Sequence, residues 1–230
     1  IFGITLNDRY IPQSSRSLIK TIKNNSEAEI VEKKSRFIAN VFSVSSKKEA
    51  EEKIAVIKKK YYDAKHSCYA FSVLEENGSK YQKCSDDGEP SGTAGEPILN
   101  IINKNELNNI LIIVTRYFGG ILLGTGGLCR AYSESSIKAL NMNEIVTMQS
   151  GLQAEIVVQY EDNSNFKNYC EKNNINVVNC KYEQDITCII ELNDEKYENL
   201  QKAILAKNIL KSKNNTILKE TCRKYVEKHE

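Results

Sequence analysis

Apolar and polar positions change their period along this chain, and each change predicts an element. In AEIVEKKSRFIANVFSV, residues 28–44, Ile30, Phe37, Ile38, Val41 and Phe42 fit two β segments bent around Lys33 to Ser35. The period then lengthens. Ser46 and Glu49 make a capping box, and Ala50, Ile54, Ile57 and Tyr61 mark one face of a helix whose last turn, Lys58 to Lys60, suits the negative dipole end. Strict alternation returns in HSCYAFSVL, residues 66–74. Tyr69, Phe71 and Val73 share one face; His66, Cys68, Ala70 and Ser72 share the other, less apolar one. A turn at Asn77-Gly78 leads to a strand over Lys80 to Cys84. A helix from about Thr93 to Ile102 follows. The continuous apolar run 111–117 reads as a buried strand, the segment through Leu128 to Leu140 as a helix, and Glu144 to Met148 as a last strand.

Past a seam near Gln149-Ser150-Gly151 the pattern reads strand (152–159), helix (162–172), strand (175–183), strand (186–192), helix (194–206), strand (216–226). Phe166, Tyr169 and Cys170 face inward from the first helix, and Tyr197, Leu200 and Ile204 from the second, behind a cap at Asn193 or Asp194. βαββαβ is the ferredoxin-like order, with both helices on one face of a four-stranded antiparallel sheet. The fold class is therefore α+β in two domains, 21–149 and 150–230. Residues 1–20 lack a strong period and are set aside as an extension or tag expected to be disordered.

Composition narrows this modestly. No apolar run approaches the roughly 20 residues that span a bilayer, and no signal peptide is visible, so a cytoplasmic protein without a membrane partner is expected. The net charge of +2 marks no polycation; nucleic-acid binding would need charge sorted onto one face. Seven cysteines without a C-x-x-C argue against a disulfide framework or a zinc site and for reduced thiols.

Glycine changes the picture more. Most of the 11 glycines fall within two stretches, CSDDGEPSGTAGEPIL (84–99) and IVTRYFGGILLGTGGLCRAYS (113–133). The second has the form strand, G-G-x-x-x-G-x-G-G, helix. Free N–H groups at a helix start favour an anion such as phosphate. The candidate phosphate-binding set is Gly119, Gly120, Gly124, Thr125, Gly126 and Gly127, with Arg116 and Arg130 as cations. It is neither a P-loop nor a dinucleotide fingerprint, and close helix-on-sheet packing is the bland alternative. In the first stretch, Asp86, Asp87, Glu89, Ser91 and Thr93 either hold a divalent cation or cap the next helix, the second role weighing more. His66 groups with Asp63 and Cys68. A nucleophilic Cys–His pair is one reading, a structural histidine the commoner one. His66, Asp86, Asp87 and Arg116 also define a candidate cleft for a small ligand or metal.

The segments DAKHSCYAFSV, SDDGEPSGTAGEPIL and VTRYFGGILLGTGGLCRAYS closely resemble the signature segments of the IMPACT family in its bacterial, YigZ-type form, a similarity running from about Lys20 onward. The resemblance implies a first domain like the penultimate, ribosomal-protein-like domain of elongation factor G and a second like its ferredoxin-like final domain. Eukaryotic relatives regulate translation by competing for an activator of a stress kinase, using an extra N-terminal domain. Residues 1–20 are too short to supply that domain, so that partner is not carried over. What the resemblance implies here is a translation-associated regulatory role near ribosome or RNA, with no catalytic residues established for the family; no cofactor is expected. The competing classes are an enzyme or small-ligand binder and a protein-interaction adaptor.

Overall fold

A computed structural model describes residues 18–75, 79–206, 209–210 and 218–228. The turn expected at Asn77-Gly78 lies outside them. The chain divides into two compact units, the first covering Ile19–Thr147 and the second beginning at Met148.

In the first unit β2 (Ser26–Glu32), β3 (Ser35–Ser43), β4 (His66–Leu74), β5 (Lys80–Ser85) and β6 (Ile110–Tyr117) form an antiparallel sheet in the order β2-β3-β6-β4-β5. Helices α2 (Gly95–Lys104) and α3 (Thr125–Leu140) cover one face, and α1 (Lys47–Lys60) covers the other. This two-sided cover explains the unbroken apolar run of β6. Ile110, Ile112 and Val114 pack towards α2 and α3, while Leu111 and Ile113 pack towards α1.

Local signals behave much as the sequence suggests. Lys33 and Lys34 turn the chain with positive φ (45° and 65°) between β2 and β3. Ser46 Oγ accepts from Glu49 N at 3.2 Å, but the Glu49 carboxylate reaches one residue further back, to Ser45 N at 2.8 Å. Pro97 sits in the first turn of α2, where its missing N–H costs nothing. Three expectations are corrected. The face of β4 holding Cys68 and Ala70 is buried under α2 and α3, not left open for a ligand. Ile19 and Lys20, set aside with the N-terminal extension, open a strand, β1 (Ile19–Ile22), with Ile19 and Ile22 buried. The expected strand over Glu144 to Met148 is the start of a single 14-residue strand, β7 (Ile145–Val158), and the predicted seam falls inside it.

In the second unit β7, α4 (Asn163–Lys172), β8 (Asn176–Tyr182), β9 (Ile186–Asn193), α5 (Asp194–Leu205) and β10 (Leu218–Glu227) follow in turn, with antiparallel pairings in the order β10-β7-β9-β8. β9 alternates: Ile186, Cys188, Ile190 and Leu192 pack with Phe166 and Cys170 of α4 and Leu200 of α5, while Thr187, Ile189 and Glu191 stay partly exposed. Gly151 is needed here, because a Cβ would lie 2.6 Å from the Leu192 carbonyl oxygen and from Val226 Cγ2. Cys180 and Cys188 are disulfide-bonded, with Cα atoms 4.2 Å apart, which corrects the expectation of reduced thiols throughout. The register of β8 on β9 sets the two residues directly opposite each other, a pairing that spacing alone does not announce.

Candidate functional site

Register brings the signature segments together at one end of the first sheet. Phe37 of β3, Arg116 of β6 and His66 of β4 lie in one row across three strands. Above the row run the first glycine stretch and α3.

Arg116 is the centre of this arrangement. Its Nη1 donates to Glu89 Oε1 at 2.7 Å, with the side chains only 7% and 4% exposed. Nη2 donates to Ser35 Oγ at 3.4 Å, and Nε is buried without an acceptor. The guanidinium carbon stands 5.4 Å from the ring centre of Phe37 and 5.5 Å from that of Phe118, within cation–π range. Glu89 Oε1 also accepts from the Tyr132 hydroxyl of α3 at 2.9 Å. The Cys68 sulfur lies 3.3 Å from that hydroxyl and 2.9 Å from the Asp86 carbonyl, the nearer acceptor for its single proton. Burial pushes the Cys68 thiol up to about 12 and, with the neighbouring thiol and Glu89 adding to it, holds the Tyr132 hydroxyl far above its ordinary range. Cys68 is therefore a protonated hydrogen-bonding group rather than a nucleophile for His66.

The acidic residues of the first stretch are committed inward. Asp86 Oδ1 accepts from Ala94 N at 2.9 Å and Gly95 N at 2.8 Å, and Oδ2 accepts from Gly92 N at 2.9 Å. Partial burial raises this carboxyl, but the three amides outweigh it and hold Asp86 below the ordinary aspartate range. It thus supplies the cap that Ala94, at the N-cap position of α2, lacks. Asp87, with φ +44°, accepts from Ser67 N at 2.7 Å and from Lys58 Nζ at 2.6 Å. Its carbonyl takes the Nδ1 proton of His66 at 2.9 Å, which leaves Nε2 as the ring's acceptor. Thr93 is buried and donates to the Pro90 carbonyl at 2.7 Å, whereas Ser91 is exposed.

Asp86→Asn leaves an amide NH₂ facing the Gly92 N–H. We expect a loss of about 1–2 kcal/mol at pH 7. Because the folded pKa is depressed, the carboxylate's contribution is complete above the ordinary aspartate range and vanishes as pH falls through the folded value. Urea midpoints of the wild type and variant should therefore differ at neutral pH and draw together as the pH falls below the ordinary aspartate range.

The second stretch divides in two. Gly119 is locked: a Cβ there would collide with the backbone of Lys34 and Ser35, and its N–H donates to Ser35 Oγ at 3.1 Å. Beyond it Gly120, Gly124 and Gly126 face open space, and Gly124 (φ 72°) precedes α3 with no side-chain cap. Thr125, Gly126 and Gly127 form the first turn, and Arg130 is exposed, with Nε 3.4 Å from the Gly126 carbonyl. Phe118 and Leu122 are 53% and 82% exposed.

The geometry corrects two expectations. Arg116 is not a cation for the loop, since its charge is buried against Glu89. Nor do Asp86 and Asp87 present free carboxylates to a cleft; among the described residues no group of three or more His, Cys, Asp and Glu is placed to hold a metal ion. Tyr132, Ser35 and Lys58 were not anticipated. Tyr132 had a usable signal, since it follows Leu128 by four on the inward face of α3.

Comparison with known proteins fits this concentration of signature residues in the first unit. The Impact N-terminal domain family matches residues 33–140. An IMPACT family member of Haemophilus influenzae is 32% identical over 176 residues, spanning 76% of this chain and 85% of its own. The chain belongs to the IMPACT family. Similarity to the IMPACT family member YvyE of Bacillus subtilis is higher but shorter: 51% over 121 residues, 53% of this chain and about half (55%) of that relative's length. A crystal structure of a hypothetical protein superposes with a TM-score of 0.59 at 25% identity, covering 88% of this chain and 96% of the other. That match extends the likeness of fold beyond the Impact N-terminal region.

Proposed function

We propose that this IMPACT-family protein is a translation-associated regulator that binds ribosomal or other RNA through phosphate contacts at the glycine-rich end of its first unit. The family's link to translational control motivates the class of function. The observation that supports the contact is the unfilled start of α3: Thr125, Gly126 and Gly127 begin a 16-residue helix without a side-chain cap, beside exposed Arg130. Charge is also sorted there. Lys33, Lys34, Lys59 and Lys65, all exposed at the same end of the sheet, form no ion pair among the described residues, whereas Lys58 and Lys60 are paired. Exposed Phe118 adds a ring on which a base can stack.

In this reading the first unit corresponds to the penultimate domain of elongation factor G. The second is ferredoxin-like, a view supported by its βαββαβ order and its β10-β7-β9-β8 pairing.

Fluorescence anisotropy with a labelled single-stranded RNA, alongside ribosome co-sedimentation, tests the proposal. Binding should weaken with salt. A Lys33→Ala, Lys34→Ala, Arg130→Ala variant, which alters only exposed side chains, should bind more weakly and with a log–log salt slope shallower by about 2. No binding at low salt, or an unchanged slope in the variant, would overturn it.

A further inference from the structure

The loop between β6 and α3 holds apolar side chains out in water. Phe118, Ile121 and Leu122 are 53%, 43% and 82% exposed, whereas Leu123 packs against the core of the first unit. Gly120 and Gly124, both with left-handed φ (83° and 72°), bracket the run Ile121-Leu122-Leu123. The base of the loop is fixed, because Gly119 lies hard against the Lys34 and Ser35 backbone. Phe118 has the Arg116 guanidinium 5.5 Å from its ring centre, and the rest of the ring is open. Apolar groups gathered on a held loop and rimmed by charge mark an interaction surface.

The rim is positive. Exposed Lys34 abuts Gly119 with Lys33 just before it, and exposed Arg130 lies in the second turn of α3. Glu32 on the turn 32–35 and Glu134 on α3 are the only carboxylates of those two segments, so each keeps a net positive charge. The occupant must therefore offer apolar faces and negative charge side by side. A nucleotide does so with its base and its phosphate, but only when it is unpaired. In an A-form duplex the base faces are stacked out of reach and the major groove is deep and narrow. The minor groove there is lined with 2′-hydroxyls, which give Ile121 and Leu122 no apolar surface.

We infer that the β6–α3 loop is a wedge for unpaired RNA. Ile121, Leu122 and the open side of Phe118 contact base faces, while phosphates lie on Lys33, Lys34 and Arg130. This rests on the RNA reading above and narrows its ligand to unpaired strands, with the duplex a poor substitute.

The test compares a labelled, unstructured RNA of about 12 nucleotides with the same strand annealed to its complement, by fluorescence anisotropy with the full chain at low salt. The single strand should bind at least about tenfold more tightly than the duplex. An Ile121→Ser, Leu122→Ser variant changes two exposed positions and should keep the wild-type thermal melt. It should bind the single strand at least about fivefold more weakly, with the salt slope and the duplex affinity unchanged. Equal affinity for strand and duplex, or an unaltered single-strand affinity in the variant, would overturn the inference and leave the RNA reading standing. Failure of both RNAs to bind would overturn the two together. Phosphatidylserine vesicles that displace the strand from the wild type but do not bind the variant would assign the loop to a membrane instead.

Discussion

Glu89→Ala should destabilise the first unit by about 3–5 kcal/mol, read from the denaturant midpoint of that unit's unfolding transition. The size follows from burial at both ends of the pair. Removing the carboxylate strands the Arg116 guanidinium, 7% exposed, and takes the acceptor from the Tyr132 hydroxyl. Stranding a buried charge costs far more than the intact pair contributes. For the same reason a double replacement, Arg116→Met with Glu89→Leu, should recover much of the loss, the more so because Arg116 Nε already lacks an acceptor. If Glu89→Ala shifts the midpoint by less than the equivalent of about 1 kcal/mol, the pair is solvated and this account of the junction is wrong. The result also bears on RNA experiments. Arg116→Ala would lower binding by disrupting the fold, so the exposed cations are the informative positions.

Gly119→Ala should cost about 3 kcal/mol, the upper part of the overpacking range, because the added carbon meets backbone rather than a movable side chain. The Lys33–Lys34 turn, the start of β3 and the end of β6 would have to separate, breaking the Gly119 N–H bond to Ser35 Oγ. Gly126→Ala serves as the control. It faces open space without positive φ, and within a helix alanine is favoured over glycine by up to about 1 kcal/mol. Thermal melts of the two variants should move in opposite directions. Equal and small shifts would mean that the close approach at Gly119 is relaxed in solution.

What the sequence revealed, and what it hid, divides along physical lines. Elements were legible because each is a local pattern: the Ser46 cap, the 3.6 period of α1, the alternation of β9. The placement of β6 between β3 and β4 was not, because it depends on pairings between residues far apart in the chain, such as Cys68 with Val114 and Arg36 with Tyr117. Proximity to the glycine loop made Arg116 look exposed. Parity pointed the other way, since Arg116 is two residues from Val114 and so shares its buried face. The capping role of Asp86 was legible from its chemistry, but its targets, six to nine residues onward, were fixed only by the fold of the intervening loop. The disulfide was missed for a similar reason: an odd cysteine count says nothing about the two that a hairpin sets face to face.

The remote cap on α2 also constrains the order of events in folding. A helix whose first turn is satisfied by its own N-cap can flicker into existence before anything else is in place. The first amides of α2 are instead received by a carboxylate eight and nine residues upstream, across a segment that must first close on itself. Ten residues are too few for a helix to persist alone in water. The helix therefore joins the structure late, after the loop before it has closed, and its residues belong among those with little structure in the transition state.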